Sequence, residues 1–290
     1  CTDPLETILQ ASVFRLLRGQ STIGKVEMAQ MERVMVTGAA GFLGRHLVQA
    51  LLDRGCEVRA LVRKTPLSLE HPRLEHFPGD VQDPGQVRAA CRGVDTVFHT
   101  AALIATMGGR AVTREYRDQA FAINVGGTQN IIDACRSEGA ARLVYTSSVD
   151  VCFDSVEDLH MDEHTPYATT FNCVYTETKI EAEQAVLAAN GGDGLLTCAL
   201  RPDVIWGAGD CIMFQALVEK LLQGPLPARV GGMGAVHDHI HVDNLVHAHL
   251  LAGEALQPGA PLCGRAYFVS DGHPAAFFEF VRPLIEGLGH

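Results

Sequence analysis

One stretch, RVMVTGAAGFLGRHLVQALLDRG at residues 33–55, constrains the fold of this chain more than any other. A short β-branched run ends in glycines at 38, 41 and 44. The residues that follow are apolar at helical spacing until Gly55 stops the pattern. A strand that turns directly into a helix is the first half of a βαβ unit, whose second strand has to return parallel to the first. EVRALV, just before Arg63, supplies that strand. Further apolar runs at LEHFPGD, DTVFHTAAL, ARLVYTSS and LLTCALRP alternate with helical patterns around Gly85 to Cys91, from about Glu115 to Arg136, and from about Val174 to Ala189. This alternation predicts an α/β fold, a doubly wound parallel sheet of the Rossmann type with helices on both faces.

After Pro202 glycine and proline thicken (GAGD, QGPLPARVGGMGA), which predicts a smaller C-terminal lobe. The expected division is an unassigned leader at 1–30, a main domain at 31–202 to which 236–256 return, and lobe segments at 203–235 and 257–290. Residue 1 is a cysteine, and the first plausible start is Met28 or Met31. In the leader, Leu5, Ile8, Leu9, Val13, Leu16 and Leu17 have the spacing of an amphipathic helix, while Asp3 and Glu6 argue against a transit peptide.

Composition removes several classes of function. Acidic residues outnumber basic ones, 34 to 23, for a net charge of −11, whereas neutralising phosphates takes clustered Lys and Arg. Nucleic acid is therefore not an expected partner. Nine cysteines lie singly with no C-x-x-C pair, the usage of a reduced, intracellular protein, and a cytoplasmic location is expected. No run approaches the roughly 18 apolar residues that span a bilayer.

The glycines of TGAAGFLG close the first strand and open the first helix. There, backbone N–H groups and the helix dipole favour a pyrophosphate, and glycine lets it approach. The turn predicts a dinucleotide held by Gly38, Gly41, Phe42, Leu43 and Gly44. The ends of the following strands extend the site to Asp80 and Val81, to Thr100, Ala101 and Ala102, and to Pro202. Val62 stands where an NAD site usually has an acid for the ribose hydroxyls, and Arg63 and Lys64 follow it. Two cations and no carboxylate suit a 2′-phosphate, so NADP(H) is expected ahead of NAD(H).

Tyr175 and Lys179 form Y-x-x-x-K on a predicted helix, which puts both side chains on one face. With five tyrosines and only four lysines in 290 residues, chance supplies such a pair about 0.07 times per chain. A nearby ammonium favours phenolate and is expected to draw the Tyr175 phenol down from near 10 toward working pH. Lys179 can also hold ribose hydroxyls. Ser148, with Ser147 as alternate, ends the fifth strand within reach of a substrate oxygen.

TGAAGFLG, NVGGT at Asn124 to Thr128, VYTSS, YTETK and LRP together resemble the extended short-chain dehydrogenase/reductases. HTAALI, EQAVLAANG, HVDNLVHAHLLA and YFVSDGHP resemble their 3β-hydroxysteroid dehydrogenase/isomerase branch. CALRPDVIWGAGD and FFEFVRPLIEGLG look most like the orphan vertebrate members called family 42E. The resemblance covers roughly residues 31 to 290. It implies oxidoreduction of a secondary alcohol or ketone on a small lipophilic, steroid- or sterol-like substrate. It also implies roles for Asn124 in a water-mediated proton relay, Asp80 at the adenine and Asp243 in packing on the cofactor side. Members of the branch usually carry a small or apolar residue where Asp203 stands. They also continue past the equivalent of His290, often into an apolar segment, so a fragment is expected, with membrane association only through sequence absent here. A homodimer is left open. Two other readings share these motifs: a nucleotide-sugar epimerase or dehydratase, and a dinucleotide-sensing protein without turnover.

In HDHIHVDNLVHAH, His237, His239 and His241 would share one face of a strand, as a ligand trio could. The resemblance assigns no metal there, hydride chemistry needs none, and none is expected. Tyr167 lacks a lysine four residues on, and Trp206 is expected to pack core or pocket.

Overall fold

The computed structural model describes residues 29–104, 113–154, 161–171, 173–211, 214–224 and 236–289. The leader with its expected helix, and the glycine- and proline-rich stretch 225–235, lie outside the described residues. The strands are β1 (Arg33–Thr37), β2 (Glu57–Val62), β3 (Leu74–Pro78), β4 (Thr96–His99), β5 (Arg142–Thr146), β6 (Leu196–Pro202), β7 (Ile205–Trp206), β8 (Val236–His237), β9 (Ile240–His241), β10 (Arg265–Val269) and β11 (Ala275–Ala276). The helices are α1 (Phe42–Asp53), α2 (Pro84–Cys91), α3 (Arg114–Ala120), α4 (Gly127–Glu138), α5 (Val174–Ala188), α6 (Phe214–Leu222), α7 (Val242–Ala255) and α8 (Phe277–Gly287).

The main sheet is parallel throughout and runs β3-β2-β1-β4-β5-β6-β10. The period of two along each strand sends alternate side chains to opposite faces. Val34, Val36, Phe98, Val144, Cys198 and Leu200 face one side, where they pack with Leu47, Val48, Leu51 and Leu52 of α1 and Leu245 and Val246 of α7. Met35, Val97, Leu143, Tyr145 and Ala199 face the other, against Val87 of α2, Ile131 and Ile132 of α4, and Ala182 and Val186 of α5. Each fully buried Leu or Ile contributes about 2 kcal/mol, which is why strands buried on both faces read as near-continuous apolar runs.

Two differences from the sequence reading bear on the site. β10 lies within 257–290, a segment expected in the lobe, yet it pairs with β6 from Arg265 to Val269 and forms the edge of the main sheet. Its alternation is muted because an edge strand covered by no further strand buries less, and only Val269 in it is buried. The helix expected from Glu115 to Arg136 is not uniform. α3 passes into a π turn at Phe121–Gly126 before α4. One extra residue in a turn leaves no mark on apolar periodicity, and such turns gather at functional positions.

Two buried histidines tie the helices to the sheet. His99 Nδ1 meets Thr37 Oγ1 at 2.7 Å and its Nε2 meets Thr128 Oγ1 at 3.0 Å. His249 Nε2 meets Thr146 Oγ1 at 2.7 Å, joining α7 to β5. Burial, with the Lys179 charge second, holds His99 down to about 3. Burial holds His249 down to about 4. Both folded values lie below the unfolded value near 6.5. The stability contributed by the neutral rings is therefore fully present above pH 6.5 and is lost as pH falls toward 3–4. By pH 4 the loss reaches about 3 kcal/mol per ring. Urea unfolding between pH 7 and pH 4 should show this slope, and His99→Gln should remove close to one proton from it. An unchanged slope in that variant would contradict the assignment.

Candidate active site

Strand order reverses between β1 and β4, and crevices at such a point open over the carboxyl ends of the strands. A cleft of about 760 Å³ lies there. Its floor is the turn between β1 and α1. Gly38 takes φ +65°, and a Cβ on it would stand 2.9 Å from Ala101 Cα. A Cβ on Gly44 would stand 2.2 Å from the Gly38 carbonyl oxygen, so the first turn of α1 presses on the loop as only glycine allows. No side chain caps α1, whose N-cap is Gly41, and Phe42, Leu43 and Gly44 of its first turn line the cleft. This close-pressed, uncapped cradle fits the pyrophosphate of a dinucleotide.

Every residue expected at the site lines this cleft except Asn124 and Asp243. Gly38, Gly41, Phe42, Leu43 and Gly44 form its floor. Arg63, Lys64, Asp80 and Val81 stand at one end, Thr100, Ala101 and Ala102 along the wall, and Ser148, Tyr175, Lys179 and Pro202 at the other end. At the first end, Arg63 Nη1 lies 3.6 Å from Asp80 Oδ2.

Lys179 follows Tyr175 by one turn of α5, and its ammonium lies 5.8 Å from the Tyr175 ring centroid. It donates instead to the Thr146 carbonyl at 2.6 Å and to the Tyr145 hydroxyl at 3.1 Å. Burial pulls Lys179 down to about 7, against the opposing charges of Glu183 and Asp150. The Tyr175 phenol is not drawn down as expected. Burial raises it, the Asp150 charge adds to the rise, and a hydrogen bond with Ser148 works the other way. The cause is plain: the ammonium is committed to β5, while the phenol sits in low dielectric beside a carboxylate.

Asn124 also departs from expectation. It lies in the π turn with 1% of its surface exposed. Its Oδ1 accepts from Leu103 N at 2.7 Å, and its Nδ2 donates to Leu103 O at 3.1 Å and to Thr178 Oγ1 at 2.9 Å. Its carbonyl accepts from Thr128 Oγ1 at 2.6 Å. The side chain braces the cleft wall against α5.

Asp150 has no role in the sequence reading, although it stands only two residues past Ser148. It lines the cleft, and its carboxylate Oδ2 accepts from Ser148 Oγ at 3.1 Å. Asp203 lines the cleft as well. Burial opposes its charge, but His237, with Nδ1 3.3 Å from Oδ2, holds the carboxyl below the ordinary range. Asp243 does not pack beside the cleft: its side chain is 73% exposed and lies 3.6 Å from His241. The three histidines form no common strand face. The chain breaks between β8 and β9, so His237 and His239 stack at 5.8 Å while His241 turns onto Trp206 at 4.6 Å. Tyr167 donates to Glu183, which also receives two nitrogens of Arg201.

Comparison with known proteins gives a consistent picture. Residues 35–290 match the 3-beta hydroxysteroid dehydrogenase/isomerase family. A 3 beta-hydroxysteroid dehydrogenase/Delta 5→4-isomerase of Mycobacterium tuberculosis is 48% identical over 260 residues, covering 90% of this chain and 70% of the relative. A 3-beta-hydroxysteroid dehydrogenase of Mycolicibacterium neoaurum is 45% identical over 257 residues, 89% and 70% of the two chains. The human sterol-4-alpha-carboxylate 3-dehydrogenase, decarboxylating, is 34% identical over 269 residues, 92% and 70%. Among solved structures, MoeE5 in complex with UDP-glucose and NAD superposes with a TM-score of 0.74 at 28% identity, over 89% and 82% of the chains. The Thermus thermophilus UDP-glucose 4-epimerase complex with NAD gives 0.73 at 26%, over 89% and 83%.

Proposed function

The chain belongs to the 3-beta hydroxysteroid dehydrogenase/isomerase family, and on that premise we propose that it is a nicotinamide-dependent oxidoreductase. It interconverts a secondary alcohol and a ketone at the 3-position of a steroid- or sterol-like substrate. The observation that carries this reading is the meeting of Ser148, Tyr175 and Lys179 in the same cleft as the glycine turn. A dinucleotide seated on that turn would supply the hydride acceptor. Gly38, Gly41 and Gly44 would receive its pyrophosphate, and Asp80 and Val81 would lie at its adenine. Thr100, Ala101, Ala102 and Pro202 would border the nicotinamide half, and Lys179 would hold the ribose. Residues 31–202 with 236–256 would carry the cofactor, and the remaining segments would meet the substrate.

Leu103, Ile104, Val204 and Ile205 at the cleft suit a lipophilic molecule. The described cationic residues of the lining are Arg63 and Lys64 at one end and Lys179 beside Tyr175, and Lys179 is held by Thr146 and Tyr145, which is unfavourable to the diphosphate of a nucleotide sugar. Among the described residues no helix is long and apolar enough to cross a membrane. With no acid ending β2 and with Arg63 and Lys64 at the cleft, NADP(H) is the preferred cofactor in this reading.

The test is oxidation of a panel of 3β-hydroxysteroids and sterols, followed by nicotinamide absorbance with each dinucleotide. NADP⁺ should show the lower KM, by about tenfold, for a gain of roughly 1.4 kcal/mol in binding. No oxidation of any 3β-alcohol would overturn the functional reading. A lower KM for NAD⁺ would overturn only the cofactor preference.

A further inference from the structure

Beyond the glycine turn the cleft is lined by Leu103, Ile104, Val204 and Ile205, and beside them by Asp203, which follows Pro202 directly. A carboxylate bordering a space suited to a lipophilic molecule stays ionised only if something holds its charge. His237 Nδ1 lies 3.3 Å from Asp203 Oδ2, and His239 Nδ1 lies 3.8 Å from the same oxygen. The two rings stack at 5.8 Å, and His239 packs against Phe280 of α8 at 4.3 Å. His239 is 4% exposed, and neither of its ring nitrogens makes a hydrogen bond, so Asp203 is the charge it meets. Neither imidazole is among the described residues of the cleft lining. The histidines therefore stand behind the carboxylate, and the negative charge is the part presented to the cleft.

The same end of the cleft holds a second carboxylate, Asp150, whose Oδ2 accepts from Ser148 Oγ at 3.1 Å. The described cations of the lining do not balance the two. Arg63 and Lys64 stand at the opposite end, and the Lys179 ammonium donates to Thr146 O and Tyr145 OH.

We propose that Asp203, fixed from behind by His237 and His239, is a specificity-determining residue that excludes substrates with an anionic group beside the reacting carbinol and admits neutral ones. The proposal deepens the functional reading above and rests on it. In that reading the reacting carbon lies between Tyr175 and a nicotinamide bordered by Pro202. Asp203 then meets whatever the substrate ring carries on the neighbouring carbon. Hydrogen or an alkyl group there keeps apolar contact with Val204 and Ile205. A carboxylate there brings like charges together where little water screens them, a penalty of about 100-fold in affinity. Asp203 takes no part in the transfer of hydride or proton. It acts on which molecules can occupy the site.

The test compares a neutral 3β-hydroxysteroid with the same ring system carrying a 4α-carboxylic acid, at pH 8, where that acid is ionised. Affinity is read by equilibrium dialysis without dinucleotide, and kcat/KM is read with NADP⁺. In the parent, the neutral alcohol should be favoured about 100-fold in both. Asp203→Asn keeps the shape and removes the charge, and it should narrow each ratio to about tenfold or less. Asp203→Glu keeps the charge and should hold each ratio within about threefold of the parent. Each ratio is taken within one protein, so a poorly folding variant loses signal for both ligands and the ratio stays readable. A parent that retains both ligands equally, or neither, would sink the proposal, as would an Asp203→Asn protein with the parent ratio. Dialysis needs no turnover. A parent that separates the two by charge yet oxidises neither supports the selection and counts against the functional reading alone, whereas equal oxidation of both does the reverse.

Discussion

Tyr175→Phe should lower kcat by about three orders of magnitude while the dissociation constant for dinucleotide stays within about threefold. The substitution removes one oxygen and keeps the ring that packs at the base of α5. Its hydroxyl belongs to the end of the cleft lined by Ser148 and Asp150, so the loss falls on proton transfer and not on the cradle. The cofactor turn lies at the start of α1, on a different element, and its geometry depends on Gly38 and Gly44. Isothermal titration with the dinucleotide and steady-state oxidation of a 3β-alcohol separate the two effects. Turnover within tenfold of the parent would remove Tyr175 from the reaction. A matching collapse of dinucleotide binding would mean that the ring, and not its hydroxyl, is what the site uses.

Lys179→Met should remove turnover by a similar factor and yet stabilise the fold at neutral pH. The lysine is 2% exposed, and burial is the largest cause of its fall to about 7. Its folded value lies below the unfolded value near 10.4, so the folded state disfavours the charged form. The destabilisation is fully present below about pH 7 and fades as pH rises toward 10.4. A shift of this size corresponds to about 5 kcal/mol. Against it stand the two hydrogen bonds to Thr146 O and Tyr145 OH, which the variant leaves unmade at about 1–1.5 kcal/mol each. A net gain of about 2 kcal/mol at pH 6–7 follows. Urea midpoints should show the variant more stable there and the advantage gone or reversed near pH 10. A variant less stable at every pH would show that the two bonds outweigh the buried charge. A gain in stability with loss of turnover is the trade expected where an active site holds an unfavourable group in place.

The turn after β1 was legible because three glycines between a strand and a helix have few other uses. Tyr175 and Lys179 were legible because a spacing of four on a helix is a statement about one face. The roles of Lys179, Asn124 and Asp150 were not. Lys179 is directed to Tyr145 and Thr146, more than 30 residues earlier. Asn124 is turned by a π turn toward Leu103 and Thr178. Asp150 stands two residues past Ser148 in the chain, but its field comes from burial and from Asp203, His237 and Lys179 on other elements. β10 shows the same limit in the fold itself, since a strand of mixed burial gives no sign of whether it joins the main sheet or a separate lobe.

By itself, then, the sequence determined what repeats along the chain: the alternation of strands and helices, the glycine cradle, and a tyrosine and lysine on one helical face. These follow from local backbone geometry, whose periods of 2 and 3.6 are written into neighbouring residues. Only the tertiary structure decided which groups share a proton and which side chain carries charge. Those depend on burial and on partners drawn from distant positions, and a hydrogen bond or a shifted pKa belongs to the pair and its dielectric, not to either residue alone.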